Sequence, residues 1–280
     1  MQRIGCLGPE GSFSEEAVHC FLAGDAEFKR NPPQVCIYTT IPQLLRACDQ
    51  KAIDWAFVPV ENSIEGQVGA TLDTLIQSEE LLIYREFKHH IKQCLLTAHP
   101  LELSQIATVY SHEQGLGQCR EFIEQNLGSA VQVVCSSTAE AAKQVAAAKQ
   151  NWAAIAPLRA AEVYGLCCQA EGIQDIRQNE TRFIMVGHRL AEMSNCDKTS
   201  LALVTADRPG ALYQVLHEFA VREINLTHIQ SRPSKQRLGE YIFFIDVDGY
   251  ALSVPIQDVL AALQQQQVKV KLLGSYPKAP

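Results

Sequence analysis

Residues 81–98 read LLIYREFKHHIKQCLLTA, and the form this run takes decides the fold. It exceeds the usual strand of about five or six residues, and Lys88, His89 and His90 interrupt its apolar character. A long, partly exposed strand that crosses from one lobe to another accounts for both features, so we expect a change of subdomain here. A second crossing is expected near Leu166 to Glu171, after which Thr181-Arg182-Phe183-Ile184-Met185-Val186 returns to the first lobe. Two such crossings make a two-lobed α/β unit with a cleft between the lobes, lobe 1 taking about 1–80 plus 167–188 and lobe 2 about 81–166.

Outward from that run, apolar spacing predicts strands at Arg3 to Leu7, Val35 to Tyr38, Trp55 to Val60, Ala107 to Tyr110, Val131 to Cys135 and Trp152 to Ala156. Helices are predicted at Phe13 to Leu22, Ile41 to Cys48, Ala70 to Ser78, Glu113 to Asn126, Ala139 to Lys149 and Leu158 to Tyr164. Strands alternating with helical patterns are the signature of a parallel sheet with crossover helices. From Arg189 to Lys198, RLAEMSNCDK, periodicity lapses and polar residues gather, which marks a linker. Beyond it the rhythm changes. Thr199 to Thr205, Ile224 to Ile229, Tyr241 to Val247 and Val268 to Leu273 read as strands, and Pro209 to Val221 and Ile256 to Gln266 as helices. The order βαββαβ is the split ferredoxin-like arrangement, here a compact module over 199–280.

With 280 residues, 47% of them hydrophobic, the chain can fill two cores, and two domains are expected. A net charge of −7 leaves no basic excess to neutralise a phosphate backbone or hold an anionic surface. Neither nucleic acid nor a membrane is therefore expected as a partner. An anionic small molecule stays open, because a pocket's field depends on a few donors. The N-terminal MQRIGCLGPEGSF has no apolar stretch of signal-peptide length and no segment approaches a membrane span, which points to the cytoplasm. Ten cysteines are scattered singly apart from Cys167-Cys168, with no C-x-x-C pair, and read as small reduced core residues. His89 and His90 face opposite sides of a strand and cannot readily share a metal; no other spacing suggests a zinc or iron site.

Polar clusters follow several strand ends, where ligands of open α/β sheets collect. Gly8-Pro9-Glu10-Gly11-Ser12-Phe13-Ser14-Glu15 is a glycine-bearing turn with Ser12-x-x-Glu15 opening a helix, either an ordinary βα turn or an anion site on free backbone N–H groups. Glu61-Asn62-Ser63-Ile64-Glu65-Gly66 ends the apolar run Ala56 to Val60, either as a solvated turn or as part of a pocket wall. Ser111-His112-Glu113-Gln114 and Ser136-Ser137-Thr138-Ala139-Glu140 read singly as helix caps. Their repetition at successive strand ends favours a pocket lined by hydroxyls and amides. In Asn179-Glu180-Thr181-Arg182-Phe183, Arg182 is either a surface residue or a grip for a carboxylate beside the Thr181 hydroxyl.

Taken in order, these clusters resemble the prephenate dehydratase family. The matching stretches are GPEGSFSEEA, PVENSIEGQVGATLD, SHEQGLGQCREF, SSTAEAAKQVA, AAIAPLRAAEVYGL and NETRFIMVG. The tail, from Arg208-Pro209-Gly210-Ala211-Leu212 through Ile224-Asn225-Leu226-Thr227 to Ser231-Arg232-Pro233, resembles the family's regulatory ACT domain. The resemblance implies a catalytic domain over 1–188, shaped like a periplasmic binding protein, followed by an ACT domain over 199–280. It implies decarboxylating dehydration of prephenate to phenylpyruvate on the route to L-phenylalanine, with no metal and no cofactor. Thr181 is implied as the key hydroxyl, with Glu65 as the alternative acid if burial raises its pKa. Asn62, Ser63, Ser111, Gln114, Ser137, Thr138 and Arg182 are implied to line the cleft, with Ser12, Gly66, Asn179 and Phe183 beside them. L-Phenylalanine is implied as allosteric effector, contacting Gly210, Ala211, Leu212, Asn225, Leu226 and Ser231 where two ACT domains pair, which also implies a homodimer or homotetramer.

Three positions depart from the family pattern. Gln230 stands where glutamate is usual, which leaves the sign and strength of the effector response open; Glu113 and Glu180 stand where proline and an apolar residue are common. No helical chorismate mutase region precedes Arg3, so a monofunctional enzyme is expected. Two rival readings are an arogenate dehydratase, with the same chemistry on an amino analogue, and a non-catalytic sensor of a small anion on the same fold.

Overall fold

A computed structural model describes residues 1–279 apart from 206 and 235–239. The first lobe is built from β1 (Arg3–Leu7), α1 (Phe13–Gly24), α2 (Ala26–Arg30), β2 (Gln34–Tyr38), α3 (Ile41–Asp49), β3 (Trp55–Asn62), β4 (Gly66–Gln67), α4 (Gly69–Gln77) and β5 (Leu82–His90). The second holds β6 (Cys94–Thr97), β7 (Thr108–Ser111), α5 (Glu113–Gln118), α6 (Arg120–Asn126), β8 (Val131–Val134), α7 (Thr138–Ala148), β9 (Trp152–Ala156), α8 (Leu158–Tyr164) and β10 (Cys167–Glu171). β11 (Glu180–Gly187) returns to the first lobe. The C-terminal module is β12 (Asp197–Val204), α9 (Ala211–Ala220), β13 (Leu226–Pro233), β14 (Tyr241–Asp248), α10 (Val254–Gln265) and β15 (Lys269–Pro277), the βαββαβ order read from the sequence.

The run at 81–98 is two strands, not one. β5 lies between β11 and β15 in the first lobe's sheet, whereas β6 lies between β10 and β9 in the second. The crossing therefore falls at Ile91-Lys92-Gln93, and β5 stays in lobe 1. The return crossing follows β10, because β10 pairs antiparallel with β6. Sheet membership thus corrects both lobe boundaries. The long helix expected from Glu113 to Asn126 is likewise divided, at Cys119, into α5 and α6.

The C-terminal module is not a detached bead. Its four strands and those of lobe 1 form one ten-stranded sheet, in the order β13-β14-β12-β15-β5-β11-β3-β1-β2 with β4 on β3. The join is the parallel contact Gly274↔Ile83. A Cβ at Gly274 would collide with the Ile83 carbonyl oxygen, so no side chain fits at this close approach. Lys271 reinforces the join by donating from Nζ to the carbonyls of Leu75, Ile76 and Ser78, which closes the C-terminal end of α4. Lobe 1's apolar core runs on into the module through Ala202, Phe244, Leu273 and Tyr276, while Leu201, Val215, Phe219, Ile245 and Val259 belong to the module's own core. Lobe 2 has a separate five-stranded sheet, β10-β6-β9-β7-β8, with a small core on each face. Among the described residues no helix is long and apolar enough to cross a membrane.

Candidate active site

A cleft of about 380 Å³ lies between the lobes. Lobe 1 supplies the β1–α1 turn from Leu7 to Ser14, Asn62 and Glu65 from the hexapeptide, and Thr181 and Phe183 from β11; lobe 2 supplies His112, Gln114, Gln118, Ser136, Ser137 and Thr138. Gln93 and Asn179 line it from the two crossings, and Pro59 and Val68 add apolar wall from lobe 1. Helix α1 and helix α7 open onto it from opposite lobes, capped by Ser12 and Ser137, whose hydroxyls accept from the N–H groups of Glu15 and Glu140. Free N–H groups at two helix starts favour anions from both sides. The expected Ser12-Glu15 capping box is only half formed, because the Glu15 carboxylate accepts from Gly11 N at 2.6 Å and not from Ser12.

The hexapeptide is shaped by Asn62. Its Oδ1 accepts from the backbone N–H groups of Ile64 and Glu65, both at 2.9 Å, closing the turn between β3 and β4. That fixes which end of the amide is nitrogen. Nδ2 then donates to Thr181 Oγ1 at 2.9 Å, to Asn179 Oδ1 at 2.9 Å and, more loosely, to Glu180 O at 3.2 Å. A second fixed polarity starts at the Glu65 carboxylate, which can only accept in its ionised form. Gln114 Nε2 reaches it at 3.0 Å and Gln118 Nε2 at 3.5 Å, across the cleft from lobe 2. Gln118 Oε1 must then accept, and it receives Asn179 Nδ2 at 3.3 Å and Gln93 Nε2 at 3.2 Å. Both ends of this amide chain agree on the hydrogen bond at Thr181. Its oxygen is the acceptor from Asn62, so its own proton is available to the cleft. Phe183, one position further on the same face of β11, is buried and stacks on Phe57 at 5.0 Å between ring centroids, which holds the strand in place.

Several predicted positions lie elsewhere. Arg182 does not line the cleft. Alternation along β11 turns it to the opposite face, where Nη1 pairs with Asp246 Oδ2 at 2.9 Å and Glu86 Oε2 at 3.5 Å, and Nε lies 3.4 Å from Glu61 Oε2. Burial opposes its charge, but Asp246, Tyr276, Glu86 and Glu61 together hold the guanidinium above its ordinary pKa. Ser111 is fully buried and donates to Ile155 O at 2.7 Å beneath the cleft floor. Ser63 is exposed and tied to Gln178 O and Glu180 N, away from the cavity. Gly66 stands in open space, where a Cβ would meet nothing within 4 Å; its φ of +80° serves the hairpin turn and not a close approach to a ligand. Glu65 lines the cleft but is exposed, so the burial that its role as an acid depended on is not found.

Gln118 and Gln93 were not among the predicted positions. Gln118 follows Gln114 by four residues, one helical turn, so both face the cleft from α5. Gln93 carried no signal, because a crossing point is set by sheet membership and not by local pattern. In the C-terminal module, Gly210 caps the start of α9 whereas Asn225 and Leu226 follow its far end, and α9 has ten residues. At 1.5 Å per residue the two groups stand about 15 Å apart. One chain does not bring the predicted effector positions together. Ser231 lies in β13 opposite Phe243 and is exposed.

A two-lobed α/β unit whose cleft is walled by helix starts, amides and one oriented hydroxyl, and whose sheet continues into a βαββαβ module, defines a small-anion enzyme with an attached regulatory domain. The family model for prephenate dehydratase matches residues 4–191, and that for the ACT domain matches 199–269. The chain belongs to the prephenate dehydratase family. It is 39% identical to the prephenate dehydratase of Amycolatopsis methanolica, over all of this chain and 90% of that protein. Among solved structures it resembles the prephenate dehydratase of Arthrobacter aurescens in complex with L-Phe, with a TM-score of 0.86 and 36% identity over 99% of this chain and 90% of that one. It also resembles GqqA, described as a novel type of quorum quenching acylase, with a TM-score of 0.87 and 26% identity over 100% and 99% of the two chains.

Proposed function

We propose that the chain converts prephenate to phenylpyruvate, carbon dioxide and water in L-phenylalanine biosynthesis, in the cytoplasm, under control by L-phenylalanine. The observation that carries this reading is the Thr181 hydroxyl at the cleft wall, obliged by Asn62 to present its proton. Prephenate is a dianion whose ring turns aromatic when the bond to its ring carboxylate breaks. The electron pair of that bond enters the ring, the pair of the C–O bond leaves with the ring hydroxyl, and one proton taken up from solvent lets that oxygen depart as water. Thr181 donates to the departing oxygen. It is a hydrogen-bond donor and a relay, because an aliphatic hydroxyl is too weak an acid to be the proton's source.

Among the described residues, no lysine or arginine lines the cleft. The starts of α1 and α7 and the neutral hydroxyls and amides beside them take the two carboxylates, and a dry wall of Phe183, Pro59 and Val68 favours loss of charge as carbon dioxide. Acyl transfer, raised by the likeness to GqqA, is disfavoured because a nucleophilic hydroxyl needs a base to take its proton, and among the described residues no side chain accepts from the Thr181 hydroxyl, whose hydrogen bond is the one it receives from Asn62. Arogenate differs by an ammonium group, for which Glu65 is the one carboxylate among the described residues that line the cleft. Supplying purified protein with prephenate and with arogenate, and following phenylpyruvate and phenylalanine, tests the reading; phenylpyruvate from prephenate is expected, and turnover of neither substrate overturns it.

The separation of Gly210 to Leu212 from Asn225 and Leu226 supports an effector site completed by a second copy, with one group from each chain. A homodimer is the smallest assembly that supplies it.

A further inference from the structure

The rung that carries Thr181 has a neighbour that faces the other way. β11 and β3 pair as Thr181↔Asn62 and then Arg182↔Glu61, after which the register slips at Val60, between Pro59 and Glu61. The first rung faces the cleft, and the second faces the ACT domain. There the Arg182 side chain is 15% exposed and Asp246 on β14 is 9% exposed, and they meet at 2.9 Å. Asp246 is itself fixed, since its other oxygen accepts from Ser200 Oγ at 2.6 Å, and Ser200 bonds the hydroxyl of the fully buried Tyr276 at 2.7 Å. Glu86, 1% exposed, is held at 2.9 Å by Lys198 of β12.

This cluster has two pairings within reach. Arg182 Nε is buried without a hydrogen bond, although Glu61 Oε2 stands 3.4 Å away, and Gln67 Oε1 is also buried and unpaired. Arg182 and Gln67 both line a gap of about 20 Å³ between lobe 1 and the ACT domain, and Gln67 is the β4 partner of Glu61. The guanidinium is thus held from two sides, by Asp246 through Nη1 and by Glu61 through Nε. Loss of the Asp246 contact frees one side of the rung next to Thr181 and Asn62, and misplacement on the ångström scale has large effects on turnover.

Resting on the reading of Thr181 given above, we infer that Asp246 of the ACT domain, acting through Arg182, is a positioning residue for the Thr181 hydroxyl. The regulatory domain thereby completes the catalytic strand pair and does not merely sit beside it. Such a residue changes turnover through Thr181 and leaves ground-state binding nearly alone.

The test is a double-mutant cycle on the full chain. Asp246→Asn is expected to lower kcat about tenfold with KM within about twofold, and to lower it no further when Thr181 is already alanine. Asp73→Asn removes a different interdomain ion pair, Arg232 to Asp73 at 2.9 Å, which touches α4 and not this rung; its kcat is expected to stay within about twofold. Equal losses from Asp246→Asn in both backgrounds, or equal kcat losses from Asp246→Asn and Asp73→Asn, overturn the inference. If Asp246→Asn does not fold, Arg182→Lys keeps the charge but loses the forked geometry. An unchanged kcat in that variant overturns the inference as well. A Thr181→Ala variant with full turnover refutes the reading of Thr181 instead, so the two failures are separable.

Discussion

Asn62 decides what Thr181 can do, because a hydroxyl that accepts from an amide has its proton left for something else. Thr181→Ala is expected to lower kcat by about 10²- to 10⁴-fold with little change in KM, and Thr181→Ser to recover part of it, in steady-state assays of phenylpyruvate formation. Asn62→Asp is the sharper variant. It keeps the acceptor for Ile64 and Glu65 but turns the amide donor into a carboxylate oxygen, toward which Thr181 then points its proton. A loss comparable to Thr181→Ala is expected, and an Asn62→Asp enzyme with near-normal kcat contradicts the assigned direction of that hydrogen bond. At this scale the sequence is informative where a residue follows a strand end, which is how Asn62, Gln114, Ser137 and Thr138 are legible as cleft residues. Arg182 is the instructive exception. A strand's alternation puts 181 and 183 on one face and 182 on the other, so spacing alone excludes a pocket shared by all three.

Helix α7 carries lobe 2's contribution, and its start is both a structural cap and a wall of the cleft. Ser137→Ala removes the acceptor for Glu140 N, now 3.0 Å away, and is expected to destabilise the protein by about 1 kcal/mol in urea unfolding. The same change is expected to raise KM for prephenate more than it lowers kcat, since the hydroxyl belongs to substrate holding in this reading. A drop in stability with unchanged KM would assign Ser137 to capping only. Elements were legible where their period is long and unbroken: β1, β3, α1, α7 and the whole βαββαβ succession of the last third. The run at 81–98 resumes its apolar content after the change of sheet, because the first half of β5 and all of β6 pack into the cores of their own lobes. Composition cannot mark a boundary between two cores of the same chemistry.

Over the whole molecule, the ten cysteines are all free, and burial pushes the thiols of Cys6, Cys48, Cys94 and Cys119 up to about 12. At pH 8 these four stay protonated and enclosed, so brief alkylation of the native protein is expected to label the exposed Cys20, Cys168 and Cys196 and to spare them, as read by peptide mass spectrometry. Early labelling of Cys48 or Cys119 would mean that the lobes open far more than their cores allow. The largest-scale expectation concerns the ACT domain. Its proposed effector positions sit at opposite ends of α9, so a single chain does not bring them together. Tyr213 and Val221 on and after α9, and Ile229 on the edge strand β13, are 69%, 56% and 46% exposed, apolar surface that a paired domain would cover. If phenylalanine binds only the paired form, linkage requires that it also drive pairing. Sedimentation across a dilution series is expected to show association strengthened by phenylalanine, and calorimetry to show phenylalanine affinity falling as the protein is diluted into monomer. Binding of equal strength to a monomer would place the effector wholly within one chain and overturn the shared site.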